Sequence, residues 1–212
     1  MGTLRSIMNC TNGAPPWPGQ KVEDRARAEH SAADGILEIA QRLRGEGNIM
    51  GKESKTNAMR MLERAKVAYT SHEYPHEEGT AVDGATVARL TGQDPARVFK
   101  TLVTQGADHN YYVFVVPVLE ELDLKKAARA AGVKSVAMIH VADINKVTGY
   151  IRGGCSPVGM KKQYKTVFDK SCLDQPTMLV SGGRIGTQIE TAPADLIAVT
   201  RGITADITAE KP

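Results

Sequence analysis

From position 54 to the end of the chain, apolar residues recur with a period of about 3.6 in some segments and about 2 in others, and turn residues mark the changes. Ser54 stands as an N-cap before Ala58, Met61, Leu62 and Ala65, which share one helical stripe. Residues 67–74 read as a short strand with turn chemistry at Pro75, and residues 81–90 as a second helix stopped by Gly92. Asp94-Pro95 reads as an N-cap with proline at the first helical position, opening one turn. Residues 98–104 and 111–118 are two strands joined by the turn at 106–110. The second is so continuously apolar that it belongs at the centre of a sheet. Asp123 caps a helix that runs to Ala131 and ends at Gly132, and residues 135–139, 164–168 and 177–181 are further strands. Pro193 opens a last helix through Val199, and a short strand closes the chain. Helices and strands interleave but include a hairpin, so the expected fold is α+β with a mixed sheet rather than doubly wound.

Residues 1–52 have a different texture. The prolines at 15, 16 and 18, between Gly13 and Gly19, prevent regular structure. Only Ile36, Ile39, Ala40 and Leu43 form an amphipathic stripe, ended near Gly45, and a lone helix of that length needs a partner surface. The expected organisation is an N-terminal extension over 1–52 and one folded domain over 53–212.

Composition adds limits. With 42% hydrophobic and 24% charged residues, the chain is neither a coiled coil nor wholly disordered. Aromatic residues are 5%, so the core must rest on Val, Leu, Ile, Met and Ala. A net charge of +3 suits an RNA backbone partner but is equally common in proteins that never meet nucleic acid. Cys10, Cys155 and Cys172 make no CxxC pair and no disulfide framework, which points to a reducing cytoplasm. No stretch is apolar and long enough to cross a membrane, and the first five residues lack the apolar core of a secretory signal. The match of Gly2 and Ser6 to a myristoylation pattern is read as chance.

Familiar catalytic constellations are missing: there is no HExxH, no GxSxG and no Walker loop, so no metal and no cofactor are expected. His72 and His76 have i, i+4 spacing, but Pro75 between them forbids the helix that would aim both at one metal, leaving a surface pair. Cys155 lies in a Gly-rich turn beside Ser156, yet no neighbour in sequence would lower its pKa, so an inert packed thiol is the stronger reading. The segment 149–159 holds Gly149, Tyr150, Gly153, Gly154, Ser156, Pro157 and Gly159. Its glycines allow close backbone approach and exposed N–H groups, which fits either a tight structural loop or a site for a carbonyl, phosphate or sugar. The turn at 181–186, with Ser181 and Gly182, carries the same two readings. Lys100 by itself reads as a solvated strand lysine.

Taken together and in order, several motifs resemble the YbaK family over residues 54–206. They are Phe99-Lys100-Thr101-Leu102, Leu124-Lys125-Lys126-Ala127-Ala128, Gly149-Tyr150 with Gly153-Gly154 and Ser156-Pro157-x-Gly159, Ser181-Gly182-Gly183, and the run from Ile189 to Leu196. The resemblance implies a trans-editing enzyme, related to the editing domain of bacterial prolyl-tRNA synthetases, that hydrolyses Cys-tRNA(Pro). It implies a mixed sheet, partly closed as a barrel and flanked by helices. The implied partners are tRNA(Pro) and prolyl-tRNA synthetase. Lys100 matches the family's essential lysine, Tyr74 its pocket tyrosine, and residues 153–159 its substrate-binding backbone. An apolar residue is expected in relatives at the Cys155 position. The sister activity on Ala-tRNA(Pro), a non-catalytic tRNA-binding module and a cysteine hydrolase built on Cys155 are the alternatives.

Residues 1–52 have no counterpart in this pattern, residues 1–49 are expected to be dispensable with Met50 as the natural start, and Gly45-Glu46-Gly47 can be encoded by a purine-rich, ribosome-binding-like run just before Met50. A chain truncated to begin at Met50 is expected to melt cooperatively at the temperature of the full chain and to keep its activity. A truncated chain that fails to fold would show that the 36–43 stripe docks on the domain.

Overall fold

The computed structural model describes residues 55–77 and 79–210; the expectations for residues 1–52 lie outside them. The first helix, α1 (Asn57–Arg64), is capped by Thr56, whose hydroxyl accepts a hydrogen bond from the Met59 N–H, and not by Ser54. It buries Ala58, Met59 and Leu62. Strand β1 (Thr70–Glu73) is shorter than its sequence suggests. Helix α2 (Gly84–Thr91) starts later than expected, because the Asp83 carboxylate caps it, and it ends on Gly92 at φ 65°. A 3-10 turn, Pro95–Arg97, opens at Asp94 as expected and leads into β2 (Phe99–Gly106) and β3 (Tyr111–Pro117). Helix α3 (Leu124–Ala131) is held between Asp123, which accepts from the N–H groups of Lys125 and Lys126, and Gly132.

Next come β4 (Val136–Met138), α4 (Val141–Thr148), β5 (Lys165–Asp169), a 3-10 turn (Lys170–Asp174), β6 (Met178–Ser181), β7 (Thr187–Thr191), α5 (Pro193–Thr200) and β8 (Ile203–Ala205). Helix α4 and strand β7 are not apparent from hydrophobic periodicity. The first has weak helix formers and an N-cap, His140, that makes no side-chain cap bond. The second buries threonine and glutamine in place of the aliphatic residues that mark a strand.

The expected mixed α+β architecture is present, as two sheets that do not close into a barrel. The larger has the order β4-β2-β3-β5-β8, with β3 at its centre, paired antiparallel to β2 and parallel to β5. Val113, Phe114, Val115 and Val116 are fully buried because both faces are covered. Val115 and Phe168 enter one apolar cluster with α1, while Phe114, Val116 and Val167 enter another with α3. The smaller sheet has the order β1-β7-β6 and is antiparallel throughout. An isolated parallel bridge between Val98 and Leu179 connects the two sheets.

A polar clamp reinforces that connection. The Glu190 carboxylate on β7 accepts from His72 on β1 (2.7 Å), from the Thr177 hydroxyl (2.6 Å) and from the Arg97 guanidinium, which also reaches Thr177. The Thr177 hydrogen bond, aided by His72 and Arg97, holds the Glu190 pKa below the ordinary glutamate value. A depressed carboxylate pKa contributes stability that is fully present above the unfolded value and lost as pH falls through the folded one. Melting temperature is therefore expected to fall on acidification below about pH 4.3, and Glu190→Gln should make that fall shallower while lowering stability at neutral pH. Parallel acid profiles for the two proteins would remove Glu190 from the acid response.

Candidate functional site

Two glycine-bearing turns, widely separated in sequence, meet backbone to backbone. A Cβ added at Gly154 would lie 3.0 Å from Cα and carbonyl C of Arg184 and from N of Ile185. One added at Gly153, whose φ is +82°, would lie 2.8 Å from Ala81 Cβ and 3.6 Å from Ile185. These contacts require glycine whether the loop is structural or functional.

Tyr150 pins the assembly. Its phenol donates to the Val158 carbonyl at 2.7 Å, and its N–H to the Thr148 hydroxyl at 3.0 Å. The hydroxyl lies 2.7 Å from where a Gly159 Cβ would stand, and the ring 3.0 Å from that of Gly183. Burial pushes the phenol's pKa well up, so it stays protonated and donating. The start of α1 closes the third side: the Thr56 hydroxyl donates to Gly182 O at 2.6 Å and the Asn57 amide to Gly159 O at 2.7 Å. Ser156 is fully buried, and its hydroxyl accepts from the Val158 N–H at 3.3 Å. Pro157 lies between them, and Gly149, at φ 86°, ends α4 and leaves 3.2 Å between its absent Cβ and the Lys161 side chain.

Tyr74 joins from β1. Its N–H donates to Gly186 O at 2.9 Å, it is 7% exposed, and the His76 ring sits edge-on to it and against Gly186. The two histidines of the expected surface pair thus have separate partners, His72 on Glu190 and His76 on the Gly186 turn. No group of three or more His, Cys, Asp or Glu suited to a metal occurs among the described residues.

Lys100 is related to the turns through strand register. The Val98–Leu179 bridge is parallel, so Lys100 and Ser181 each lie two residues beyond it on their strands. Val98 and Leu179 pack together with Ala88, and strand alternation puts Lys100 and Ser181 on that same side. Cross-strand pairing also gives that side to Gln188, whose buried side-chain oxygen has no hydrogen-bond partner among the described residues. The Lys100 ammonium pairs with Glu121 at 3.1 Å, and Glu121 is 83% exposed. An ion pair so open to water contributes little and exchanges readily for another anion.

The two cysteines among the described residues, Cys155 and Cys172, are not activated. Burial pushes the Cys155 thiol up to about 11 and the Cys172 thiol to about 11. A nucleophile at neutral pH needs the opposite shift. The sequence, with its family resemblance, offers Tyr74, Lys100, residues 149–159 and Ser181-Gly182 as candidates, but not Thr56, Asn57 or Gln188. Threonine at the head of an apolar-periodic segment is a favoured N-cap and marks the first of these, while Gln188 gives no local sign of its placement.

Residues 78–199 match the aminoacyl-tRNA editing domain family. A protein of Enterococcus faecalis (strain ATCC 700802 / V583), assigned by its name as a Cys-tRNA(Pro)/Cys-tRNA(Cys) deacylase, EbsC, is 45% identical over 159 residues, covering 75% of this chain and 96% of its own. A crystal structure described as that of a trans-editing enzyme for prolyl tRNA synthetase superposes with a TM-score of 0.63 at 25% identity, covering 73% of this chain and 96% of that one. A hypothetical protein of known structure gives 0.65 at 21% identity, covering 72% and 99%, and shares the fold. No helix among the described residues is long and apolar enough to cross a membrane.

Gly154→Ala is expected to force the two turns apart and cost about 1–3 kcal/mol in overpacking. Tyr150→Phe should cost a similar ~1–3 kcal/mol by leaving the Val158 carbonyl unpaired. Thermal melts check both; wild-type stability in Gly154→Ala would mean the turns do not meet as described.

Proposed function

Because the chain belongs to the aminoacyl-tRNA editing domain family, we propose that it hydrolyses the ester of mischarged Cys-tRNA(Pro) in trans, alongside prolyl-tRNA synthetase. The reading is carried by the joined glycine turns at Gly153-Gly154 and Arg184-Ile185, which present backbone rather than reactive side chains. The names of the Enterococcus faecalis relative and of the trans-editing structure support it.

An aminoacyl ester is already activated, and cysteine carries its own nucleophile. Holding the substrate thiolate against its ester carbonyl makes the attack intramolecular, an advantage worth several kcal/mol, about 7 or more for well-oriented groups. Sulfur bonds to the carbonyl carbon, the ribose oxygen leaves with a proton, and water opens the resulting thiolactone to free cysteine. The protein's share is orientation and donors for the developing oxyanion. This accounts for a hydrolase whose Cys155 and Cys172 thiols are held protonated. Tyr74, Gly149, Tyr150, Gly153, Gly154, Ser156, Pro157, Gly159, Ser181 and Gly182 form or brace the pocket. Lys100, two residues beyond the Val98–Leu179 bridge and only weakly held by Glu121, takes the terminal adenosine or its phosphate.

The test is a single-turnover panel of tRNA(Pro) charged with Cys, Ser, Ala and Pro. Cysteinyl ester should be cleaved faster than seryl ester by more than the roughly 10–200-fold that pocket fit alone can give. Lys100→Ala should lose about 100-fold or more with unchanged melting, and Cys155→Ser should stay active. Equal cysteinyl and seryl rates would sink the thiol mechanism but not the deacylase. Preference for the alanyl ester would assign the sister activity, no cleavage at all a binding module, and loss in Cys155→Ser a protein nucleophile.

A further inference from the structure

Lys161, whose side chain packs on Gly149, also lines an open groove of about 720 Å3. Lys146, Lys162 and Lys165 line it as well, with Tyr111 and Tyr164 between them, and no carboxylate lines it among the described residues. A smaller hollow of about 160 Å3 shares Lys161, Lys162 and Tyr164 and extends to Pro157 and Val158 of the glycine-rich segment. The groove therefore abuts the proposed site.

Its charges are arranged in two ways. The Lys161 ammonium donates to the Asn145 carbonyl at 2.9 Å, and that of Lys165 to the Ala131 carbonyl at 2.9 Å. Both are held by the last carbonyls of a helix, α4 for one and α3 for the other, which fixes them in place while leaving their charge unneutralised by any acid. Lys146 and Lys162 are exposed, and their ammonium groups have no hydrogen bond or ion pair among the described residues. The two tyrosine rings meet edge to face, 6.1 Å apart at 84°, and Tyr164 is anchored through its hydroxyl to Val147 O at 2.8 Å. Four cations around an aromatic floor, without a carboxylate, fit a chain of phosphates whose bases can stack on a ring.

We infer that this groove binds the sugar-phosphate backbone near the 3′ end of the RNA whose ester is hydrolysed at the glycine turns. The inference rests on the deacylase reading for the identity of the polyanion. Lys100 pairs in register with Val116, at the other end of β3 from Tyr111, about 17 Å away at ~3.4 Å per residue. The terminal nucleotide at Lys100 and the groove at Tyr111 are thus met at opposite ends of the β2–β3 hairpin.

The experiment measures binding of uncharged tRNA(Pro) by fluorescence anisotropy across a salt series, using the full chain, with hydrolysis of Cys-tRNA(Pro) followed separately. Lys146→Gln with Lys162→Gln should weaken binding by about 10-fold or more and reduce the slope of log K against log salt by roughly 1.5. Lys146→Arg with Lys162→Arg should bind as wild type does. Lys125→Gln with Lys170→Gln removes the same charge elsewhere and should change little. An unaltered slope in the groove variant, or an equal loss in the Lys125 and Lys170 variant, would overturn the inference. If binding responds as expected while wild type cleaves no cysteinyl ester, the groove stands and the deacylase reading falls; cleavage with unaltered binding does the reverse.

Discussion

The site depends on how closely two backbones can approach. Side chains at positions 153 and 154 would occupy space taken by Ala81, Arg184 and Ile185. With glycine there, the 149–159 and 181–186 segments make one surface; Tyr150, hydrogen-bonded at both its amide and its phenol, braces the first segment, and Thr56 and Asn57 tie the surface to the start of α1. Close-packed interiors tolerate little volume change, so the geometry around the turns is set by many small contacts rather than by one strong bond.

This arrangement suits a reaction in which the substrate supplies the reactive group. A protein nucleophile needs a partner to shift its pKa, and the described cysteines are shifted the other way by burial. Backbone donors and a lysine with an exchangeable partner provide orientation and charge without that apparatus. On the proposed function, rigidity in the turns and looseness at Lys100 are complementary: one would fix the ester, the other would follow the RNA.

Most of the helices and strands were legible because caps and periodicity agreed, as at Asp123 with Gly132 and Asp94 with Pro95. The central position of β3 followed from its unbroken apolar run. Helix α4 and strand β7 were hidden because polar residues fill positions whose burial is decided by distant partners, as Glu190 is by His72, Arg97 and Thr177. The same limit applies to the site. Glycines at 153, 154 and 159 signal close approach without naming what approaches, so the joining of the two turns, the Thr56 contact and the lysine groove required the fold.

The strand order β1-β7-β6 also sets a timetable. His72 and Glu190 are 118 residues apart, and Thr56 and Gly182 are 126 apart, yet each pair is in contact. On a ribosome, α1 and β1 emerge with nothing to pair against, while the hairpin of β2 and β3 can close locally. The surface that holds the proposed substrate is complete only once β7 has left the exit tunnel, so it is among the last parts of the domain to form. Until then β1 is an unpaired edge, and chain release before residue 187 leaves β1 without its partner and removes Ile189, Leu196 and Ile207 from the core.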